Sequence, residues 1–201
     1  MKVVIVKYDA GNIYSVVHAL RRIGVEPILT DNEADIRSAD RIVFPGQGEA
    51  ATTMQSLRQS GLDRIIPSLK QPVLGICIGM QLMCAHSEEG NTDCLGIFEG
   101  SEVKRFVPQT KEDKIPHIGW NSANMTDKAL FKGIKDNDFF YFIHSFYVPV
   151  HDRFTIASTD YCGTAFSAAM RKDNFFATQF HPEKSGKNGE TLLRNFLEID
   201  L

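Results

Sequence analysis

Pro72-Val-Leu-Gly-Ile-Cys77-Ile-Gly-Met-Gln-Leu-Met-Cys84 is the stretch from which the rest of the chain can be read. Val73, Leu74 and Ile76 form a short apolar run suited to a buried strand, and the residues after Gly79 return to helical spacing, which sets Cys77 at the corner. A Gly-x-Cys-x-Gly corner is a nucleophile elbow, where strand and helix approach too closely for a Cβ on either side of the nucleophile. The sulfur then stands over the strand ends with the first helical amides aimed at it, and these stabilise a thiolate and any oxyanion formed beside it. A free cysteine among apolar residues is most often plain core. The two glycines at this spacing favour the nucleophile instead.

Working outward, residues 3–7 read as a buried strand, and Asp9-Ala10-Gly11-Asn12 as a turn that caps a helix with Ile13, Val16, Val17, Leu20 and Ile23 on one face and Gly24 at its end. Residues 27–29 give a second strand, 32–39 a short polar helix, and 41–44 a third strand running into Pro45-Gly46-Gln47-Gly48. Strands alternating with helices predict an α/β fold with an open, mostly parallel sheet flanked by helices. In such sheets the loops at the carboxyl ends carry the chemistry, so the Pro-Gly-Gln-Gly loop and the Cys77 elbow are expected on one rim.

Beyond the elbow, 87–93 reads as a polar loop, 101–107 as a strand and 108–114 as a charged excursion. Four strand-like runs follow at 139–143, 154–158, 164–170 and 175–180, with a hairpin at Lys172-Asp173-Asn174, so additional antiparallel strands are expected in the C-terminal half. An amphipathic helix over 190–197 closes the chain. No linker, repeat or low-complexity tract interrupts residues 1–201, which predicts a single domain.

With 22 basic and 25 acidic residues and a net charge of −3, the chain has no strong field for nucleic acid or an anionic membrane. Its N-terminal residues turn polar too soon for a secretory signal, no apolar run has the length of a membrane span, and the four cysteines lack metal-ligand spacing. The expectation is a cytoplasmic protein with reduced thiols and no metal or other cofactor.

A nucleophilic cysteine needs a base, and the base needs a group that fixes its tautomer. Of six histidines, His181 follows an apolar strand and opens His-Pro-Glu-Lys-Ser; Pro182 stops the strand and leaves Glu183 two residues on, within reach of the imidazole. The candidate catalytic set is therefore Cys77, His181 and Glu183. His18, His86 and His151 read as structural, while His117 and His144 fit either a pocket wall or the core.

Gly75-Ile-Cys-Ile-Gly-Met-Gln81 and Gln179-Phe-His-Pro-Glu-Lys-Ser185 resemble the two signatures of the class I (triad) glutamine amidotransferases. Pro116-His-Ile-Gly-Trp-Asn121, Tyr141-Phe-Ile-His-Ser145 and Gly11-Asn12 narrow the likeness, over nearly the whole chain, to the glutaminase subunits of imidazole glycerol phosphate synthase. The resemblance implies that Cys77 attacks the side-chain amide of L-glutamine, His181 shuttles the proton to the leaving ammonia, Glu183 holds His181, and the backbone amides of Gln47 and Ile78 receive the oxyanion. It places Gly48, Gln81, Glu99, His144, Ser145 and Phe146 around the bound glutamine, with Glu99 as the anion for the α-ammonium. Asn12, Trp120, Tyr141 and Lys184 match positions at or near the interface with a partner, a (β/α)8-barrel cyclase subunit. That subunit takes the ammonia and converts a phosphoribulosyl formimino intermediate (PRFAR) to imidazole glycerol phosphate and an aminoimidazole carboxamide ribotide (AICAR) in histidine biosynthesis. Family members commonly have Val at position 47 and Tyr at position 146, where this chain has Gln and Phe. Alternatives are an amidotransferase subunit for cell-surface sugar amidation or pyridoxal phosphate synthesis, a general cysteine hydrolase, and a non-catalytic regulatory subunit of the same fold.

Overall fold

The computed structural model describes residues 1–8, 13–46 and 48–200, so the expected helix-capping turn at 9–12 and the Gln47 amide lie outside the described residues. Four parallel strands lead: β1 (Val3–Val6), β2 (Ile28–Thr30), β3 (Arg41–Phe44) and β4 (Val73–Ile76). Between them run α1 (Ile13–Arg22), α2 (Glu33–Arg37), α3 (Ala50–Ser60) and α4 (Leu62–Ser68). Helix α2 is held by Asn32, whose side chain accepts the N–H groups of Ala34 and Asp35. Helices α3 and α4 occupy a stretch whose apolar signal is thin: α3 buries Thr53, Met54 and Leu57, and α4 carries Pro67 inside it.

After β4 the chain turns at Cys77 into α5 (Ile78–Leu82), then becomes extended in β5 (Cys84–Ser87), β6 (Thr92–Asp93) and β7 (Phe98–Arg105). The polar stretch 87–93 is thus the tip of a hairpin, with β5 and β6 antiparallel, rather than a loop throughout. Strands β8 (His117–Ser122), β9 (Asn124–Met125), β10 (Phe139–His144) and β11 (Phe146–Tyr147) follow. The chain ends through β12 (Thr155–Tyr161), β13 (Thr164–Lys172), β14 (Phe175–Thr178) and α6 (Gly186–Glu198).

The large sheet has the order β2-β1-β3-β4-β14-β13-β12-β9. Strand pairs from β2 to β14 are parallel, and those from β14 to β9 are antiparallel. Two cores lie on its two faces, as alternation along β1 requires: Val3 and Ile5 pack with α1 and α6, while Val4 and Val6 pack with α3 and α4. Strands β8 and β10 form a separate antiparallel ribbon, and β11-β7-β5-β6 a small second sheet.

What positions the site is the insertion of β14 beside β4. Thr178 pairs with Ile76 in parallel register, and the Cys77 N–H donates to the Thr178 carbonyl at 2.7 Å. Cys77 and His181 therefore leave neighbouring strands on the same rim, although 104 residues separate them in sequence. Among the described residues, no helix is long and apolar enough to cross a membrane.

Candidate active site

Cys77 adopts φ 54° and ψ −107°, a conformation that an L-residue rarely takes. The surroundings force it. A Cβ on Gly79 would run into the backbone carbonyl oxygen of Phe44, and one on Gly75 would lie 3.0 Å from the Gly79 carbonyl carbon and from Met83. The strand and the short helix thus meet at their closest where the two glycines stand, and the chain turns sharply with the sulfur outward.

The sulfur faces a cavity of about 430 Å³, a size suited to a small polar ligand. Gly48, Cys77, Ile78 and Gln81 form one side, and Ile143, His144, Ser145 and Phe146 the other. His181, Lys184 and Glu89 complete it.

His181 is 1% exposed and sits at the end of β14, where Pro182 starts a single 3-10 turn that brings Glu183 back beneath it. Its Nδ1 bonds the Glu183 Oε1 at 2.7 Å between two side chains that are 2% exposed each. The other two polar atoms of the pair, His181 Nε2 and Glu183 Oε2, are buried without a hydrogen-bond partner. Burial alone would lower the His181 pKa; the charge of the Cys77 sulfur and then Glu183 outweigh it and raise the value to about 10. The turn is clamped from behind: Ser185 Oγ donates to the His181 carbonyl at 2.7 Å, and the place of a Gly189 Cβ is taken by the Pro182 carbonyl.

A hydrogen-bonded chain runs behind the cavity wall. The Phe146 carbonyl accepts Gln81 Nε2 at 2.9 Å and His144 Nδ1 at 2.7 Å. A carbonyl only accepts, so His144 carries its hydrogen on Nδ1, and its Nε2 receives the Nδ1–H of His117 at 3.0 Å. Burial lowers the pKa of His144 to about 3 and of His117 to about 4, which keeps both neutral at neutral pH. His144 is thus both a cavity wall and a buried structural link, while His117 lies behind it, stacked on Tyr161 with ring centroids 3.8 Å apart. Phe146 acts here through its backbone carbonyl, to which the hydroxyl of a tyrosine would be irrelevant.

Glu99 lies on β7 next to the buried Phe98; it is exposed, ion-paired with Lys172, and outside the cavity wall. The carboxylate in the wall belongs to Glu89, in the β5-β6 turn. Its Oε2 accepts the Ala50 N–H at 2.8 Å, and burial raises its pKa, an effect that the Ala50 N–H only partly offsets. The sequence signal for Glu89 was its position in a tight Glu-Glu-Gly turn shortly after the elbow helix, where the chain folds back over α3.

Lys184, Tyr141 and Trp120 come together at the rim. Lys184 Nζ stands 6.0 Å from the Tyr141 ring centroid, and the Tyr141 and Trp120 rings meet edge to face at 6.0 Å. Trp120 is 55% exposed, and Ile118 and Phe139 are exposed to the same degree, so the ribbon of β8 and β10 presents an apolar outer face. Asn12, like Gln47, lies outside the described residues.

The family model for "Glutamine amidotransferase class-I" matches residues 4–199. A Bacteroides thetaiotaomicron protein named "Imidazole glycerol phosphate synthase subunit HisH" is 61% identical over 99% of this chain and its own full length. Proteins of the same name from Bacteroides fragilis and Idiomarina loihiensis are 58% and 44% identical, covering 99% and 100% of this chain and all of their own length. Among solved structures, a GMP synthase-like protein from Thermoplasma acidophilum superposes with a TM-score of 0.73 at 21% identity, covering 98% of this chain and 93% of that one. A structure described as a glutamine amidotransferase gives 0.74 at 18% identity over 98% of both chains, and these two likenesses speak to the fold. An elbow cysteine beside a carboxylate-held histidine, on a chain matched from residue 4 to residue 199, places this protein in the class-I glutamine amidotransferase family.

Proposed function

We propose that this chain is the glutaminase subunit of an imidazole glycerol phosphate synthase, hydrolysing L-glutamine at Cys77 and passing ammonia to a cyclase subunit in histidine biosynthesis. One observation carries the chemistry: His181 spends Nδ1 on Glu183 and leaves a buried Nε2 unspent beside the Cys77 sulfur. That is the arrangement of a base whose tautomer is fixed and whose second nitrogen takes the cysteine's proton, which the Cys77 charge then holds there.

In this reading the Cys77 proton passes to His181 Nε2 and the sulfur attacks the δ-carbon of glutamine. The carbonyl electron pair moves onto oxygen, where the backbone amides of Ile78 and Gln47 receive it. As the tetrahedral intermediate collapses, the C–N bond breaks and His181 returns the proton to the leaving ammonia. Water, deprotonated by the same nitrogen, then cleaves the thioester to glutamate. Glu89 takes the role of anion for the α-ammonium. Gln81 helps through its Oε1, because both hydrogens of its amide are committed to Phe146 and Gln179.

Free ammonia is mostly protonated and non-nucleophilic at neutral pH, so a lone glutaminase would waste it. The exposed Ile118, Trp120 and Phe139 on the ribbon, continuous with Tyr141 and Lys184 at the cavity mouth, support a partner seated over the site. The relatives are named as subunits of imidazole glycerol phosphate synthase, which supports another subunit of such a synthase as the occupant; in this reading it is a barrel cyclase acting on PRFAR, in a cytoplasmic heterodimer.

The test is glutamate release by the purified chain, alone and then with the cyclase and PRFAR, with Cys77→Ala as the blank. Release that rises strongly in the complex, with imidazole glycerol phosphate formed and none in the blank, is expected. Glutamate release without any cyclase product would remove the histidine pathway from the reading.

A further inference from the structure

We propose that Gln179 is a further catalytic residue, the side-chain donor that holds and stabilises the Cys77 thiolate. The inference rests on the glutaminase reading for its role in turnover, though not for its test.

Gln179 lies one residue past β14, is fully buried, and brings its Nε2 to 3.7 Å from the Cys77 sulfur. Its orientation is settled by the atoms around it. The Phe146 carbonyl accepts only, so the Gln81 atom that meets it is Nε2. The Gln179 atom 3.0 Å from that nitrogen must then be Oε1, which turns the Gln179 NH2 toward the sulfur. Flipping either amide would set two donors or two acceptors face to face.

The sulfur has a second neighbour of opposite character: the Ile143 carbonyl oxygen, also at 3.7 Å. A thiol can donate its hydrogen there, whereas a thiolate finds that oxygen repulsive. Gln179 works the other way, since an N–H to an anionic sulfur is stronger than one to a neutral thiol. The two contacts therefore favour different protonation states. When the proton leaves for His181 Nε2, the Ile143 contact loses its donor and the Gln179 contact tightens. The amide cannot swing away, because Gln81 and a strand-end backbone bond from the Gln179 N–H to the Ala168 carbonyl at 2.8 Å hold it. Gln179 thus keeps the sulfur aligned through attack, S–C bond formation and loss of ammonia, and lowers the cost of the anion before attack.

The test is the pH profile of Cys77 alkylation by iodoacetamide in the full chain, read by mass spectrometry of the Cys77 peptide. Gln179→Met keeps length and volume and removes the donor. A variant that melts cooperatively like the unaltered chain should alkylate Cys77 about tenfold more slowly at neutral pH with its profile moved to higher pH, and in the complex should lose about tenfold in kcat with little change in KM. An unmoved profile in the folded variant overturns the proposal. If Gln179→Met does not fold, the unaltered chain decides: the Gln179 side-chain amide resonance should titrate together with Cys77 alkylation and cease to do so in Cys77→Ala, and a resonance blind to Cys77 overturns it. Alkylation needs no glutamine, so its result stands apart from whether the unaltered complex releases glutamate.

Discussion

The backbone N–H of His181 donates to the carbonyl of Tyr141 at 2.9 Å, so the histidine beneath the cavity and the exposed aromatic ribbon share a hydrogen bond. Ser185 doubles the link, its hydroxyl accepting the Tyr141 N–H at 3.0 Å and donating to the His181 carbonyl. Anything seated on β8 and β10 therefore rests directly on the strand that holds the base.

Trp120→Ala tests that face. Trp120 is more than half exposed, so its removal should leave the melting temperature of the isolated chain nearly unchanged. If it is a central contact for the cyclase, the complex should weaken by about 2 kcal/mol or more, roughly thirtyfold in Kd by titration calorimetry. Unaltered affinity would place the partner elsewhere.

Glu89 and Glu99 make opposite predictions. Glu89→Gln keeps an acceptor for the Ala50 N–H and removes the charge facing the cavity, so the KM for glutamine should rise about tenfold to a hundredfold. Glu99→Gln should leave it unchanged, because Glu99 is paired with Lys172 on the exposed side of β7.

The difference between these two carboxylates shows where sequence reading stopped. The elbow, the His-Pro-Glu turn and the parallel first half were legible because each is local: an apolar run, a glycine pair, a proline that ends a strand. Glu99 lies next to the buried Phe98 at the start of β7, where burial does not alternate strictly, so the local pattern left its side undecided. The fold-back of the β5-β6 turn over α3, which delivers Glu89, depends on contacts with a helix whose stripe of Thr53, Met54 and Leu57 is weak. The pairing of β14 with β4 was hidden for a similar reason, because nothing in either strand names a partner a hundred residues away.

The elbow glycines should differ in their tolerance. Gly79→Ala drives a methyl into the Phe44 backbone, which cannot yield cheaply, and should cost about 2–4 kcal/mol by urea denaturation. Gly75→Ala meets the flexible Met83 side chain and one backbone carbon at 3.0 Å, and should cost less. The reverse order would contradict the close approach of α5 to β3.

Acid should destabilise the fold through the histidine pair. His144 and His117 have folded pKa values of about 3 and about 4 against 6.5 for a free histidine, so between those limits the unfolded chain binds more protons. The stability they contribute is complete above about pH 6.5 and is lost as pH falls through the window, at up to about 1.4 kcal/mol per pH unit for each group. Denaturation midpoints at pH 7 and pH 5 should fall further apart in the unaltered chain than in His117→Asn. Equal separations would contradict the buried neutral pair.

The measurement closest to the central claim uses a chloroketone analogue of glutamine, with modified residues located by peptide mapping. The chain has four free cysteines, of which Cys94 and Cys162 are half-buried and Cys84 is fully buried. A glutamine site built around the elbow predicts modification at Cys77 alone, slowed by added glutamine and nearly abolished in His181→Ala. Label spread over Cys94 and Cys162, or modification of Cys77 that glutamine does not slow, would contradict it.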